Sequence, residues 1–129
     1  MKYFCLNPNC FDVNSKGKVL SFPTAFEYTQ YFNNNKINNC VARTKILGLR
    51  KIVVSTVLLP VALENKPPKL FETMVFGLLL KEEPTYHYPY FDLAHKHHYS
   101  LVEALQNNEP LPNVVVPENW VEHYAKQFT

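Results

Sequence analysis

Lys51-Ile-Val-Val-Ser-Thr-Val-Leu-Leu59 is the stretch on which the fold turns. Its period-two to continuous apolar character, rich in Val, Ile and Thr, reads as a strand. Two further runs have the same character, Cys40-Val-Ala-Arg-Thr-Lys-Ile46 before it and Leu70-Phe-Glu-Thr-Met-Val-Phe-Gly-Leu-Leu-Leu80 after it. Leu47-Gly48-Leu49 is short enough for a hairpin connection, which makes the first two strands antiparallel neighbours. Alternation puts Arg43 and Lys45 on the face opposite Ala42, Thr44 and Ile46, so two cations stand on one side of the sheet. Pro60 to Lys69, with Pro67-Pro68, cannot continue a central strand and reads as a loop.

Working outward, Lys18 to Phe22 reads as a short strand. Thr24-Ala-Phe-Glu27 is a capping box that starts a helix running to about Phe32, with Ala25, Tyr28, Thr29 and Phe32 on one face. Asn33-Asn34-Asn35 ends it, since Asn tolerates the left-handed conformation of helix C-termini. On the other side, Glu82-Glu83-Pro84 breaks the third strand and Thr85 to Tyr90 reads as a short edge strand. Asp92 is placed to cap a helix from Leu93 to about Gln106, with Ala94, His98, Leu101, Val102 and Leu105 on one stripe. After the extended Pro110 to Pro117 segment, Glu118 to Phe128 reads as a last helix burying Trp120, Val121, Tyr124 and Phe128. The expected architecture is α+β: an antiparallel β-meander with helices packed on it and an added C-terminal helix.

The chain of 129 residues is 47% hydrophobic, 14% aromatic and 19% charged, enough for one core and against disorder or low complexity. A single domain spanning 1–129 is expected, without a membrane span or a secretory signal. The net charge of +2 hides a division: residues 1–63 hold 8 Lys/Arg against 2 acids, residues 64–129 hold 5 against 9. Between Glu27 and Glu64 no acid occurs, while Lys36, Arg43, Lys45, Arg50 and Lys51 all do. Either this interval is a solvated face that pairs with the acidic half, or it is an anion site. Cys5, Cys10 and Cys40 are an odd set that fits reduced thiols. With a His they provide the donors of a zinc knuckle, but no second closely spaced pair accompanies Cys5 and Cys10, and a thiol-bearing N-terminal turn around Pro8 is the preferred reading.

Val54-Ser-Thr-Val57 followed by Leu70-Phe-Glu-Thr-Met-Val-Phe-Gly77 resembles a family of small proteins encoded by bacteriophages and prophages. The resemblance extends to Val41-Ala-Arg-Thr44, to Tyr90 in an aromatic turn, and to Ala94 and His98 on the following helix, covering residues 38–105 and leaving 110–129 as an extension. At greater distance the arrangement looks similar to the Thoeris anti-defence sponges, oligomeric phage proteins that hold signalling nucleotides of the cyclic ADP-ribose type or cyclic oligonucleotides. The resemblance implies a cytoplasmic protein of the infected bacterial host that sequesters a nucleotide-derived immune signal without cleaving it, needs no cofactor, and forms a homo-oligomer. One departure is Leu59-Pro-Val-Ala-Leu63, which stands where the family has Leu-Gly-Leu-Asp-His; Pro60 has no amide to offer a phosphate.

A nucleotide needs cations for phosphate and an apolar platform for its base. Arg43 is the first choice of cation because its fork matches phosphate oxygens, with Arg50 and Lys51 as support. Phe71 and Phe76 lie on opposite faces of their strand, so at most one stacks on a base while the other serves the core. The full expected ligand set is Arg43, Arg50, Lys51, Thr56, Phe71, Met74, Phe76, Tyr90 and His98. His98 is either a neutral, hydrogen-bonded residue of the apolar stripe or a donor to phosphate or ribose; as a catalyst it lacks a partner at a recognisable spacing. His95 and His98, three apart, make only half of a metal site, and neither catalytic residues nor a metal are expected. The competing reading is a phage inhibitor that blocks a host defence complex by direct contact, using the Trp120, Tyr124 and Phe128 stripe. Nucleic-acid binding would rest on the basic interval alone, without a reader motif, and is not expected.

Overall fold

The computed structural model describes residues 2–7, 18–48, 51–63 and 66–128. In chain order the elements are β1 (Tyr3–Leu6), β2 (Val19–Phe22), α1 (Ala25–Asn35), β3 (Cys40–Ile46), β4 (Ile52–Leu58), β5 (Phe71–Phe76), β6 (Thr85–Tyr88), α2 (Phe91–Gln106) and α3 (Trp120–Lys126). The fold is α+β. β3-β4-β5-β6 form a four-stranded antiparallel meander and β1-β2 a separate two-stranded sheet. β1 was not expected: Cys5 lies in a strand, paired with Leu20 and buried, while the turn expected around Pro8, with Cys10, lies outside the described residues.

Local chemistry explains where elements start and stop. Thr24 caps α1 by accepting the Glu27 amide at 3.2 Å, and the helix runs one turn past Phe32 before Lys36, not an Asn, takes the left-handed conformation at φ 50°. β5 ends at Phe76 rather than running to Leu80, because Gly77 adopts φ 98°. A Cβ on Gly77 would sit 2.2 Å from the Lys51 carbonyl oxygen, so the chain passes too close to β4 for any other residue. α2 begins at Phe91 with Tyr90 at its cap, placing Asp92 inside the first turn.

α2 packs across all four strands of the larger sheet, while α1 rests on β1-β2. One core cluster joins Phe4 and Val19 to Leu58, Leu70, Phe71, Tyr88, Phe91 and Ala94; the other joins Val54 and Val75 to Leu101 and Val102. The C-terminal helix is held against the first cluster. Phe128 packs on Phe4 and Tyr124, and Tyr124 on Trp120, with ring centroids 5.0–5.9 Å apart. Gln127 is the staple. Its side-chain oxygen accepts the Phe91 amide and its nitrogen donates to the Pro89 carbonyl, both at 3.0 Å, while its main-chain oxygen accepts from Val19. This supplies the α2 N-terminus with a partner that Tyr90 does not provide. No helix among the described residues is long and apolar enough to cross a membrane.

Candidate functional site

Two polar systems lie on opposite faces of the four-stranded sheet. Beneath α2, the strands present Thr44, Thr56 and Thr73 to one imidazole. His98 Nε2 is 2.9 Å from the Thr44 hydroxyl, His98 Nδ1 is 2.7 Å from that of Thr56, and Thr56 is 2.6 Å from Thr73. Thr73 also hydrogen-bonds the Tyr88 phenol, which meets His97 Nδ1, and His97 Nε2 lies 2.8 Å from the Pro112 carbonyl. Each of the strings Val41 to Thr44, Val54 to Val57 and Leu70 to Gly77 thus sends one threonine into the same network.

The last link fixes the direction of every other. A carbonyl only accepts, so His97 Nε2 carries the proton; burial keeps the ring neutral, so Nδ1 accepts and Tyr88 donates to it. The phenol oxygen then takes the Thr73 proton, Thr73 accepts from Thr56, Thr56 accepts from His98 Nδ1–H, and His98 Nε2 accepts from Thr44. Every donor is used once. Among the described residues no buried side-chain nitrogen or oxygen lacks a partner.

Thr44 donating to a histidine oriented by a third group has the outline of a nucleophile and its base. The chemistry argues otherwise. Burial, with a smaller push from the nearby His95, drives His98 down to about 4, and a hydroxyl stands where a carboxylate would stabilise the imidazolium. His98 is therefore a weak base whose two nitrogens are both committed, which also removes it from any metal site with His95. The network fastens β3 to the sheet; in physical terms it is a positioning device. Cys5 is likewise no ligand in this state, since burial raises its thiol to about 11 and keeps it protonated.

The opposite face is left open by the described helices. Register lines up Lys45, Val53 and Phe76 in one row, Arg43, Ser55, Met74 and Thr85 in the next, and Val57, Glu72 and His87 in a third. Arg43, Lys45 and Thr85 are exposed, and Phe76 is 40% exposed. Strand spacing sets the cations of β3 roughly 10 Å from Met74 and Phe76 of β5, and Arg43 about 7 Å from Lys45. The one carboxylate in these rows, Glu72, is engaged by His87 at 2.9 Å.

Of the expected ligand residues, the structure brings Arg43, Met74 and Phe76 together on this face, and Lys51 is exposed just before β4. Four do not join them. Thr56 and His98 are fully buried in the threonine network, Phe71 is fully buried edge-on against Phe91, and Tyr90 is 6% exposed and stacked on His123 at 4.7 Å. A guest on the open face cannot reach them. Arg50 lies outside the described residues. Lys45 and Ser55 belong to the face and were absent from the expected set; alternation along β3 already placed Lys45 on the face of Arg43, whereas Ser55 joins it only through the β3–β4 register. No protein-family model, curated protein or solved structure matches this chain.

Proposed function

We propose that the protein binds a nucleotide-derived anion on the open face of its four-stranded sheet and releases it unchanged, as a phage-encoded anti-defence protein acting in the cytoplasm of the infected host. One observation carries the reading: Arg43 and Lys45 share a face that the described helices leave open with the exposed ring of Phe76 and with Met74, two strands away. The guanidinium supplies paired donors to phosphate oxygens, and the ring and thioether supply a surface for stacking. Binding is favoured over cleavage because the imidazole placed as a base beside Thr44 is buried under α2 on the other side of the sheet.

The direct-contact inhibitor is the weaker reading. Its aromatic stripe is consumed inside the fold, where Tyr124 and Phe128 pack against the core. Native mass spectrometry with a panel of cyclic nucleotides and cyclic ADP-ribose derivatives tests the proposal. The expected result is a bound ligand recovered intact after denaturation, lost in Arg43→Ala and in Phe76→Ala. Turnover of the ligand, or no retention of any member of the panel, overturns it.

A further inference from the structure

After α2 the chain runs from Glu109 to Pro117 without entering a helix or a sheet. Its inner positions are spent on the fold: Leu111 packs on the Leu101 cluster, Val114 on the Phe71 cluster, and the Pro112 carbonyl meets His97. From Pro112 to Val116 burial alternates, with Asn113 and Val115 turned outward and Val115 82% exposed. That is the pattern of a strand, here without a neighbour. Among the described residues, no hydrogen bond reaches the main-chain groups of Asn113, Val114, Val115 or Val116. Unpaired groups of this kind are left to water, and a row of them forms an open edge. The free edges of the four-stranded sheet are blunted by contrast, β3 by a bulge and two cations and β6 by Pro84 and Pro89 at its ends.

The surroundings are acidic. Between Lys96 and Lys126 there is no Lys or Arg, whereas Glu103, Glu109, Glu118 and Glu122 occur and are exposed. Glu122 is paired with Lys126 at 3.7 Å, while Glu109 and Glu118, which bracket the segment, meet no cation among the described residues. We infer that Asn113 to Val116 is a docking strand for an extended segment of another protein, aliphatic or β-branched at its centre and carrying Lys or Arg at its ends. The partner's main chain completes the hydrogen bonds, its central side chain lies against Val115, and its end charges meet Glu109 and Glu118. Pro112 and Pro117 have no amides, so the paired length is held to about four residues, ~13 Å. A proline-recognising domain fits poorly, because Leu111 and Pro112 are half-buried against the fold. The segment packs on the α2 side of the sheet, away from Arg43 and Phe76, so the inference neither rests on the nucleotide reading nor replaces it.

Amide chemical shifts of the labelled full chain, titrated with synthetic peptides capped at both ends, test this. The probes are Lys-Val-Thr-Val-Lys, the acidic counterpart Glu-Val-Thr-Val-Glu, and two forms of the basic peptide N-methylated on alternate amides. The basic probe shifts the amides of Asn113 to Val116 and slows hydrogen exchange at alternate ones. It binds roughly tenfold tighter than the acidic probe at low salt, and the difference shrinks as salt is added. N-methylation along one edge of the peptide abolishes binding and along the other leaves it, since a paired strand uses one edge. Val115→Lys, at an exposed position, weakens the basic probe without lowering the melting temperature. Glu109→Lys combined with Glu118→Lys inverts the preference between basic and acidic probes. No response at these amides up to ~1 mM peptide, equal binding of the two probes, indifference to N-methylation, or dimerisation of the chain through Val115 in place of peptide binding would each overturn the inference.

Discussion

Replacing His98 by Gln should change how stability depends on pH, and the structure sets both sign and size. The ring of His98 is fully buried between Thr44 and Thr56, and its proton affinity falls from the ordinary 6.5 to about 4. Between those values the unfolded chain binds a proton at this residue and the folded chain does not. Acid therefore favours unfolding: the contribution is fully present above pH 6.5 and disappears as the pH falls to about 4. At ~1.4 kcal/mol for each tenfold change in proton affinity, the wild type should lose ~3 kcal/mol across this interval from His98 alone. Burial also holds His97 below its ordinary value, so its effect has the same sign. In His98→Gln this proton-linked loss is absent, so the variant should lose ~3 kcal/mol less than the wild type between pH 6.5 and pH 4, whatever constant difference the altered hydrogen bonds add at every pH. Urea denaturation of both proteins at several pH values measures the difference, with carboxylate effects common to the two. Parallel curves, or an NMR titration of His98 near 6.5, would refute the buried neutral assignment.

Other outcomes follow from the same geometry. Thr73→Val leaves Thr56 without its acceptor and Tyr88 without its donor, and should cost about 1–3 kcal/mol in urea denaturation, while Thr73→Ser should recover most of it. Gly77→Ala must place a Cβ 2.2 Å from the Lys51 oxygen at φ 98°, so a loss of about 2 kcal/mol or more is expected in thermal unfolding. Arg43→Ala, at an exposed position, should shift stability by no more than about 0.5 kcal/mol while removing the thermal stabilisation given by a bound nucleotide.

Much of the architecture was legible in strand patterning, and less of the site. β3, β4 and β5 announced themselves by β-branched runs, and the Thr24 to Glu27 box marked the start of α1 where the structure has it. β1 escaped notice because Tyr3-Phe-Cys-Leu6 does not alternate: its central pair, Phe4 and Cys5, is buried on both sides. The overlong third strand came from counting Leu78 to Leu80 as continuous with β5, when Gly77 turns the chain out of the sheet. In the site, alternation divided Phe71 from Phe76 but could not say which face α2 would cover. Only packing decides that, and it sent Phe71, Thr56 and His98 inside. The three threonines share one alternation phase relative to His98, a signal visible in sequence only when the strand register is known.

The most direct test of the account is chemical-shift mapping of the labelled protein against the nucleotide that native mass spectrometry retains. The account predicts perturbations at Arg43, Lys45, Ser55, Met74 and Phe76, with the side chains of Thr56, Phe71 and His98 unmoved. Perturbations centred on the α2 side of the sheet, with Arg43 and Phe76 silent, would contradict it.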